Sequence, residues 1–335
     1  MKSFFQNYII KLIFIGTLFF ISNGANAQID SINEAVFAVN KKLGRGINIP
    51  NIERMNAKHY QDIKEAGFSN LRIPIAPFDE TVSKTDFTLK PSFFKMLDEA
   101  INNSLANNLM PIIDFHQHHV IQKDPLGVAP AFYAIWQQIA EHYKDAPSEV
   151  LFEIANEPNV KPDLWNDFYK MAYRIIRKSN PNRTILIGTV YGNQIKFLKD
   201  LKLPEEDRNI IVTVHYYEPI EFTHQGAEWS AERRDLSGIT WPGKYGGEKE
   251  IIADFNIAQT WSVEHQRPIH LGEFGVYNKT EMKYRIIWTA FVARLADKLG
   301  WSWSYWELNQ GFGIYDLKTN EWNEGLYRAL IPKKK

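Results

Sequence analysis

The chain has 335 residues with 39 basic and 39 acidic side chains, a balance that argues against nucleic acid or an anionic surface as its partner. It has no cysteine, so disulfides and a lipid-modified cysteine are both excluded and stability must come from a large core. The excess is in aromatics, with 10 Trp, 15 Tyr and 21 Phe, residues that fill cores or form stacking platforms.

At the N-terminus, Lys2 and Lys11, the apolar run Leu12 to Ile21, and Ala25-Asn-Ala27 ahead of Gln28 follow the three-part pattern of a secretory signal peptide. The run falls short of the roughly 20 residues that a membrane span needs. Cleavage is expected after Ala27, which places residues 1–27 outside the fold, leaves 28–335 as one domain and implies a secreted or periplasmic location without membrane attachment.

Eight short apolar runs rich in β-branched residues follow: Gly44 to Ile49, Asn70 to Ile75, Met110 to Phe115, Glu149 to Ala155, Thr184 to Thr189, Ile210 to His215, Pro268 to Glu273 and Trp301 to Trp306. Between them lie stretches with apolar residues at helical spacing, among them Ala131 to Tyr143, Leu164 to Arg177, Ile251 to His265 and Met282 to Leu299. Alternation of eight near-continuous apolar strands with helices predicts an α/β fold, a single-domain (β/α)8 TIM barrel. A doubly wound sheet would be the other arrangement, but the chain lacks a glycine-rich phosphate loop. One connection, Tyr216 to Gly247, is too long and too rich in Gly, Pro and Trp for a simple turn, and in a barrel it lies on the active face.

The polar residues that end the apolar runs should converge on that face. The second strand carries Arg72; the third ends in His116, the fourth in Asn156 and Glu157, the sixth in His215 and Tyr217, the seventh in Glu273 and the eighth in Trp306. Singly, each has a structural reading as an ion pair, a hydrogen-bonded core histidine or a packing aromatic. Together, a polar group at nearly every strand end is hard to explain as packing. Two glutamates among them, Glu157 and Glu273, are the carboxylate pair that glycoside hydrolysis requires.

The set resembles glycoside hydrolase family five, the cellulase family, across the whole domain. The resemblance is carried by Leu-Arg72-Ile-Pro, Asp-Phe-His116, Asn156-Glu157-Pro158, His215-Tyr-Tyr217, Glu273-Phe-Gly, and Tyr305-Trp306-Glu-Leu followed by Gly311-Phe-Gly-Ile-Tyr315. Leu43-Gly-Arg-Gly-Ile-Asn48 and Phe222-Thr-His-Gln-Gly-Ala are similar to the endoglucanase branch. The resemblance implies Glu157 as general acid and base, Glu273 as nucleophile, and a retaining double displacement. It also implies supporting roles for Arg72 and Tyr217, which keep Glu273 ionised. Asn156 would bind the sugar 2-hydroxyl, His116 and His215 would hold substrate hydroxyls and orient the carboxylates, and Trp306 would form the floor under the sugar. The implied substrate is β-1,4-glucan or mixed-linkage glucan, cleaved by a secreted monomer without metal or other cofactor.

Alternatives remain at this level. Mannanases and xyloglucanases share the same catalytic set. A non-catalytic carbohydrate-binding barrel would lose a carboxylate, whereas both are present here. His116-Gln-His118 has the spacing of a metal pair, but that pattern belongs on a first strand. His118 and His119 are candidates for the cleft or for the solvent, and Trp229, Trp241 and Tyr245 for neighbouring sugar subsites or for packing the long loop.

Overall fold

The computed structural model describes residues 34–333, so the signal-peptide expectation for residues 1–27 lies outside the described residues. The apolar runs form strands β1 (Arg45–Asn48), β2 (Asn70–Ile75), β3 (Met110–Phe115), β4 (Leu151–Glu153), β5 (Ile185–Gly188), β6 (Ile210–Tyr216), β7 (Ile269–Phe274) and β8 (Ser302–Tyr305). They pair in parallel in chain order, and β8 returns to β1, which closes the barrel. Parallel neighbours need a crossover between them, and helices such as Pro91–Ala106, Pro125–His142, Pro162–Ser179, Glu248–His265 and Met282–Leu299 supply it. Pro91, Pro125 and Pro162 each occupy the first helical position, where a fixed φ helps and no helical hydrogen bond is lost.

Two expectations shift in detail. After β3 a short helix, His118–Lys123, precedes a second that begins at Pro125 rather than Ala131, because Pro130 sits inside it and interrupts the pattern without ending the helix. The crossover after β5 is not an α-helix: it consists of a tight turn at Val190–Asn193 and 3-10 turns at Ile195–Asp200. Tyr191 and Gly192 there have left-handed backbones, φ 53° and 83°, which no helix can propagate through.

The barrel interior is layered. At the N-terminal end, Met110, Ile112, Leu151, Leu186 and Ile211 point inward and meet Val36 and Leu43 of the helix over residues 34–43, an apolar plug that seals the floor. Above it the interior turns polar: Asn40, Asn70, His270, Ser302 and Ser304 are all buried. They satisfy one another, with Ser302 donating to Asn40 Oδ1 (2.6 Å) and Ser304 to Asn70 Oδ1 (2.7 Å). The main apolar core instead lies between strands and helices, where Trp136, Trp165, Trp288 and Trp303 are fully buried.

β1 passes very close to β2 at Gly46, where a Cβ would fall on the Asn70 amide. Asn70 cannot retreat, since its Nδ2 donates to the Leu43 and Trp303 carbonyls at 3.0 and 3.1 Å. Gly46→Ala is therefore expected to lower the unfolding free energy by about 1–3 kcal/mol, the usual cost of overpacking, read from the denaturant midpoint. An unchanged midpoint would refute this account of the β1–β2 contact.

Candidate active site

The upper interior is organised by Arg72, third residue of β2 and fully buried. Its Nε and Nη2 donate to the two oxygens of Glu153 at 2.7 and 2.9 Å. Nη2 also donates to Asn156 Oδ1 (2.8 Å) and lies 3.0 Å from Asp114 Oδ2. Nη1 donates to Asn48 Oδ1 (2.9 Å) and Glu273 Oε1 (2.7 Å). Asp114 and Glu153 are register partners on β3 and β4, which is why one guanidinium reaches both. Three carboxylates around it hold Arg72 firmly in its charged form. Burial pushes the Asp114 carboxyl up to about 7, against the pull of Arg72.

Glu273, on β7, receives a second donor: the Tyr217 hydroxyl, just past β6, lies 2.9 Å from Oε2. Burial and the adjacent Glu273 charge push the Tyr217 phenol far above its ordinary range, so it stays a donor. His215, two residues back on β6, spans the carboxylates: its Nδ1 lies 2.9 Å from Glu157 Oε1 and 3.6 Å from Glu273 Oε2. Burial lowers the His215 imidazole to about 4, so it is neutral at ordinary pH. An oxygen of Glu157 and one of Glu273 lie within 4.8 Å of each other and of the His215 nitrogen. Among the described residues these three are the set close enough to share a metal ion, but their facing atoms are already engaged with one another, with Arg72 and with Tyr217.

Glu157 differs from its partner in two respects. Its side chain is 24% exposed against 5% for Glu273, so solvent or a leaving group can reach it. Its backbone is left-handed, φ 42°, a conformation that costs a non-glycine residue energy and recurs at functional sites. That turn, four residues past β4, aims the carboxylate back over the barrel mouth.

The cleft above these groups has a volume of about 750 Å³. On one side the Trp306 and His116 rings stack, 5.2 Å apart and 8° from parallel. His116 Nδ1 donates to Asp114 Oδ2 (2.6 Å), and burial keeps the ring neutral. The small cluster of Ala227, Tyr277 and Phe312 packs against Trp306 and Tyr217. The loop Tyr216 to Gly247 brings His224 and the exposed Trp229 to the rim. Gln225 ties that loop to itself, donating to the Phe222 and Ile239 carbonyls (3.1 and 2.9 Å) and accepting from the Ile239 N–H (2.9 Å).

All eight residues expected from strand-end logic, Arg72, His116, Asn156, Glu157, His215, Tyr217, Glu273 and Trp306, meet at this mouth. Arg72 and Asn156 lie beneath the surface and the other six line the cleft. His118 lines it too and His119 does not. His116 and His118 turn toward a common neighbour, each with a nitrogen 3.4 Å from Asn156 Nδ2. Of the loop aromatics, Trp229 is on the cleft, whereas Trp241 is fully buried against Phe291 and Tyr245 packs beside Lys244 away from it. Sequence reasoning missed Asp114 and Glu153 as partners of Arg72, though both stand in the runs read as strands. It also assigned nothing to the end of the fifth strand, where Asn193 is fully buried against His215.

The profile of the family described as cellulase (glycosyl hydrolase family 5) matches residues 32–311. Endoglucanase H of Acetivibrio thermocellus is 29% identical over 316 residues, which cover 88% of this chain and 33% of that protein. Endoglucanase 3 of Fibrobacter succinogenes is 26% identical, covering 91% of this chain and 55% of that protein. The chain thus spans between a third and about half of the length of these curated relatives. The structure of endoglucanase Cel5A from Thermotoga maritima superposes with a TM-score of 0.84 at 40% identity, covering 88% of this chain and 99% of that one. Structures of that protein include complexes with cellobiose and with mannotriose.

Because His215 is held neutral at about 4 while a free histidine titrates near 6.5, the folded state binds fewer protons than the unfolded state between those values. Its contribution is complete above pH 6.5 and is lost as pH falls through 4, an effect of about 3 kcal/mol. The Asp114 carboxyl, raised to about 7, acts in the opposite sense over the same range, so the readout is the difference: between pH 7 and pH 4 wild type should lose more stability, or gain less, than His215→Gln in thermal melts, and parallel curves would refute the assignment.

Proposed function

The chain belongs to glycosyl hydrolase family 5, and from that membership we propose that it is a retaining endo-β-1,4-glucanase acting on cellulose-type or mixed-linkage β-glucan. The observation that carries the reading is the pair Glu157 and Glu273, with oxygens within 4.8 Å of each other at the ends of β4 and β7. Retaining glycosidases keep their carboxyl groups about 5–5.5 Å apart, whereas inverting enzymes leave room for a water at about 6.5–9.5 Å.

In this reading Glu273 is the nucleophile. Arg72 and Tyr217 fix both of its oxygens, which orients the carboxylate. It attacks the anomeric carbon, forming a glycosyl–enzyme ester as the bond from that carbon to the glycosidic oxygen breaks. Glu157, the more exposed carboxyl, gives its proton to the departing oxygen. In the second half Glu157 takes a proton from water, the resulting hydroxide adds to the anomeric carbon, and the ester to Glu273 breaks.

The surrounding groups have matching tasks. Asn156 Oδ1 is committed to Arg72, so Nδ2 is the atom that turns to the sugar 2-hydroxyl. Trp306, backed by His116, offers a flat apolar face to the sugar ring. His215 and Tyr217 supply hydrogen bonds at the point of cleavage. The same reading takes the protein as a monomer acting without metal or other cofactor, with the Lys2 to Ala27 pattern read as directing it to a secreted or periplasmic location. No helix among the described residues is long and apolar enough to cross a membrane. Mannan is the second substrate class, favoured by the mannotriose complex of the Thermotoga maritima relative.

A product-resolved digest of carboxymethylcellulose, lichenan, xyloglucan, glucomannan, mannan and xylan should give oligosaccharides from the first two, and glucomannan or mannan should rank next. Proton NMR of the first products should show the β-anomer. Glu273→Ala and Glu157→Ala should each lose about 10²-fold or more in kcat. Wild type that releases nothing from any of these polymers, an α-anomer as first product, or either variant at wild-type rate would reject the mechanism.

A further inference from the structure

The end of β5, like that of β1, received no group from strand-end logic, and the chain there is unusual. Tyr191, Gly192 and Asn193 are successive left-handed residues with φ of 53°, 83° and 51°. Two of them are not glycine, so the turn is held against its local preference by its surroundings. Tyr191 N–H donates to the Pro158 carbonyl (2.9 Å), which anchors the turn to the residue after Glu157. Gly192 then lies beside the Glu157 carboxylate: a Cβ there would sit 3.9 Å from Oε1, in ordinary van der Waals contact.

The turn delivers Asn193, fully buried, to His215: Asn193 Nδ2 lies 3.2 Å from His215 Nε2. The other ring nitrogen, Nδ1, faces Glu157 Oε1 at 2.9 Å and Glu273 Oε2 at 3.6 Å. Both are acceptors when ionised, and a neutral imidazole has one N–H. The proton therefore belongs on Nδ1, which leaves a lone pair on Nε2 that needs a donor in a buried place. Among the described residues the group hydrogen-bonded to Nε2 is the Asn193 amide. Asn193 Oδ1 in turn has no hydrogen-bond partner, so the bond between Nδ2 and His215 Nε2 is the side-chain hydrogen bond that this buried amide makes.

We infer that Asn193 is a positioning residue for Glu157, acting through His215: it fixes the Nδ1–H tautomer and so keeps a neutral donor pointed at the carboxylate. This rests on the assignment of Glu157 as acid and base. The donor does its work whenever Glu157 is ionised, as its proton passes to the departing oxygen and while it waits to deprotonate water. A neutral donor suits that task, since it stabilises the carboxylate without adding a full charge beside Glu273 and Arg72. The charged and titratable groups around the ring include Glu157, Glu273, Arg72, Glu153, His116 and His270, and among the described residues the hydrogen bond at Nε2 is the one from Asn193.

The test has two arms. In 15N-edited NMR of histidine-labelled protein, with His215 assigned through His215→Gln, wild type should show the Nδ1–H tautomer. Asn193→Asp, an isosteric change that turns the donor into an acceptor, should move the proton to Nε2. The second arm compares kcat/KM, which reports the first half-reaction, on cellopentaose and on 2,4-dinitrophenyl β-cellobioside. The activated leaving group needs no proton, so Asn193→Asp should cost about tenfold or more on cellopentaose and less than about threefold on the aryl glycoside. A wild-type Nε2–H tautomer, an unchanged tautomer in the variant, or equal losses on both substrates would overturn the inference. Failure of wild type on both substrates would instead strike the hydrolase assignment, and the tautomer would still decide whether Asn193 sets His215.

Discussion

One buried guanidinium does more than any other group to set this barrel mouth. Arg72 has no exposure and reaches Asn48, Asp114, Glu153, Asn156 and Glu273, groups carried by β1, β3, β4, the turn after β4, and β7. A planar fork with five donors can do this, where an ammonium could not. Burial of such a charge is favourable only when nearly every donor is satisfied, so the positions of acceptors on four strands and one turn are tied to one another. Pairing strands sets the barrel's shape, but Arg72 sets which atoms face each other at its top.

The polar layer beneath has a similar economy. The histidines from this layer up to the mouth behave alike: desolvation pushes the partly buried His116 and the buried His215 and His270 below their ordinary range. Each has hydrogen-bonding partners on its ring nitrogens, so burial leaves them as oriented dipoles rather than charges. Positive charge at the site is concentrated in Arg72 and negative charge in the carboxylates around it. The apolar plug over residues 34–43 then closes the lower end, which leaves the upper face as the open end of the barrel.

Much of this was legible from the chain because parallel strands buried on both sides are near-continuous apolar runs, and the first polar residue after such a run marks the mouth. That rule found Glu157, Glu273, His116 and Trp306 without any structure. It did not find the partners of Arg72, since Asp114 and Glu153 lie within the runs and only pairing register shows that they point inward together. It passed over Asn193 because a left-handed turn carries no periodic signal. Trp229 and Trp241 are twelve residues apart in one loop of similar composition; one is 62% exposed and the other has no exposure at all, a difference set by how Gln225 folds the loop.

That loop has a further consequence. Tyr216 to Gly247 is cross-braced internally by Gln225 and Gly226, the latter with φ 74° and its N–H donating to the Arg233 carbonyl (2.9 Å). Its outer half makes few demands on the carboxylate chemistry, whose atoms are fixed from within the barrel. The segment is thus a cassette: its rim residues can diversify by exchange between relatives while Arg72 and its acceptors stay untouched. Selection on polymer preference and selection on bond cleavage can act on separate stretches of one gene.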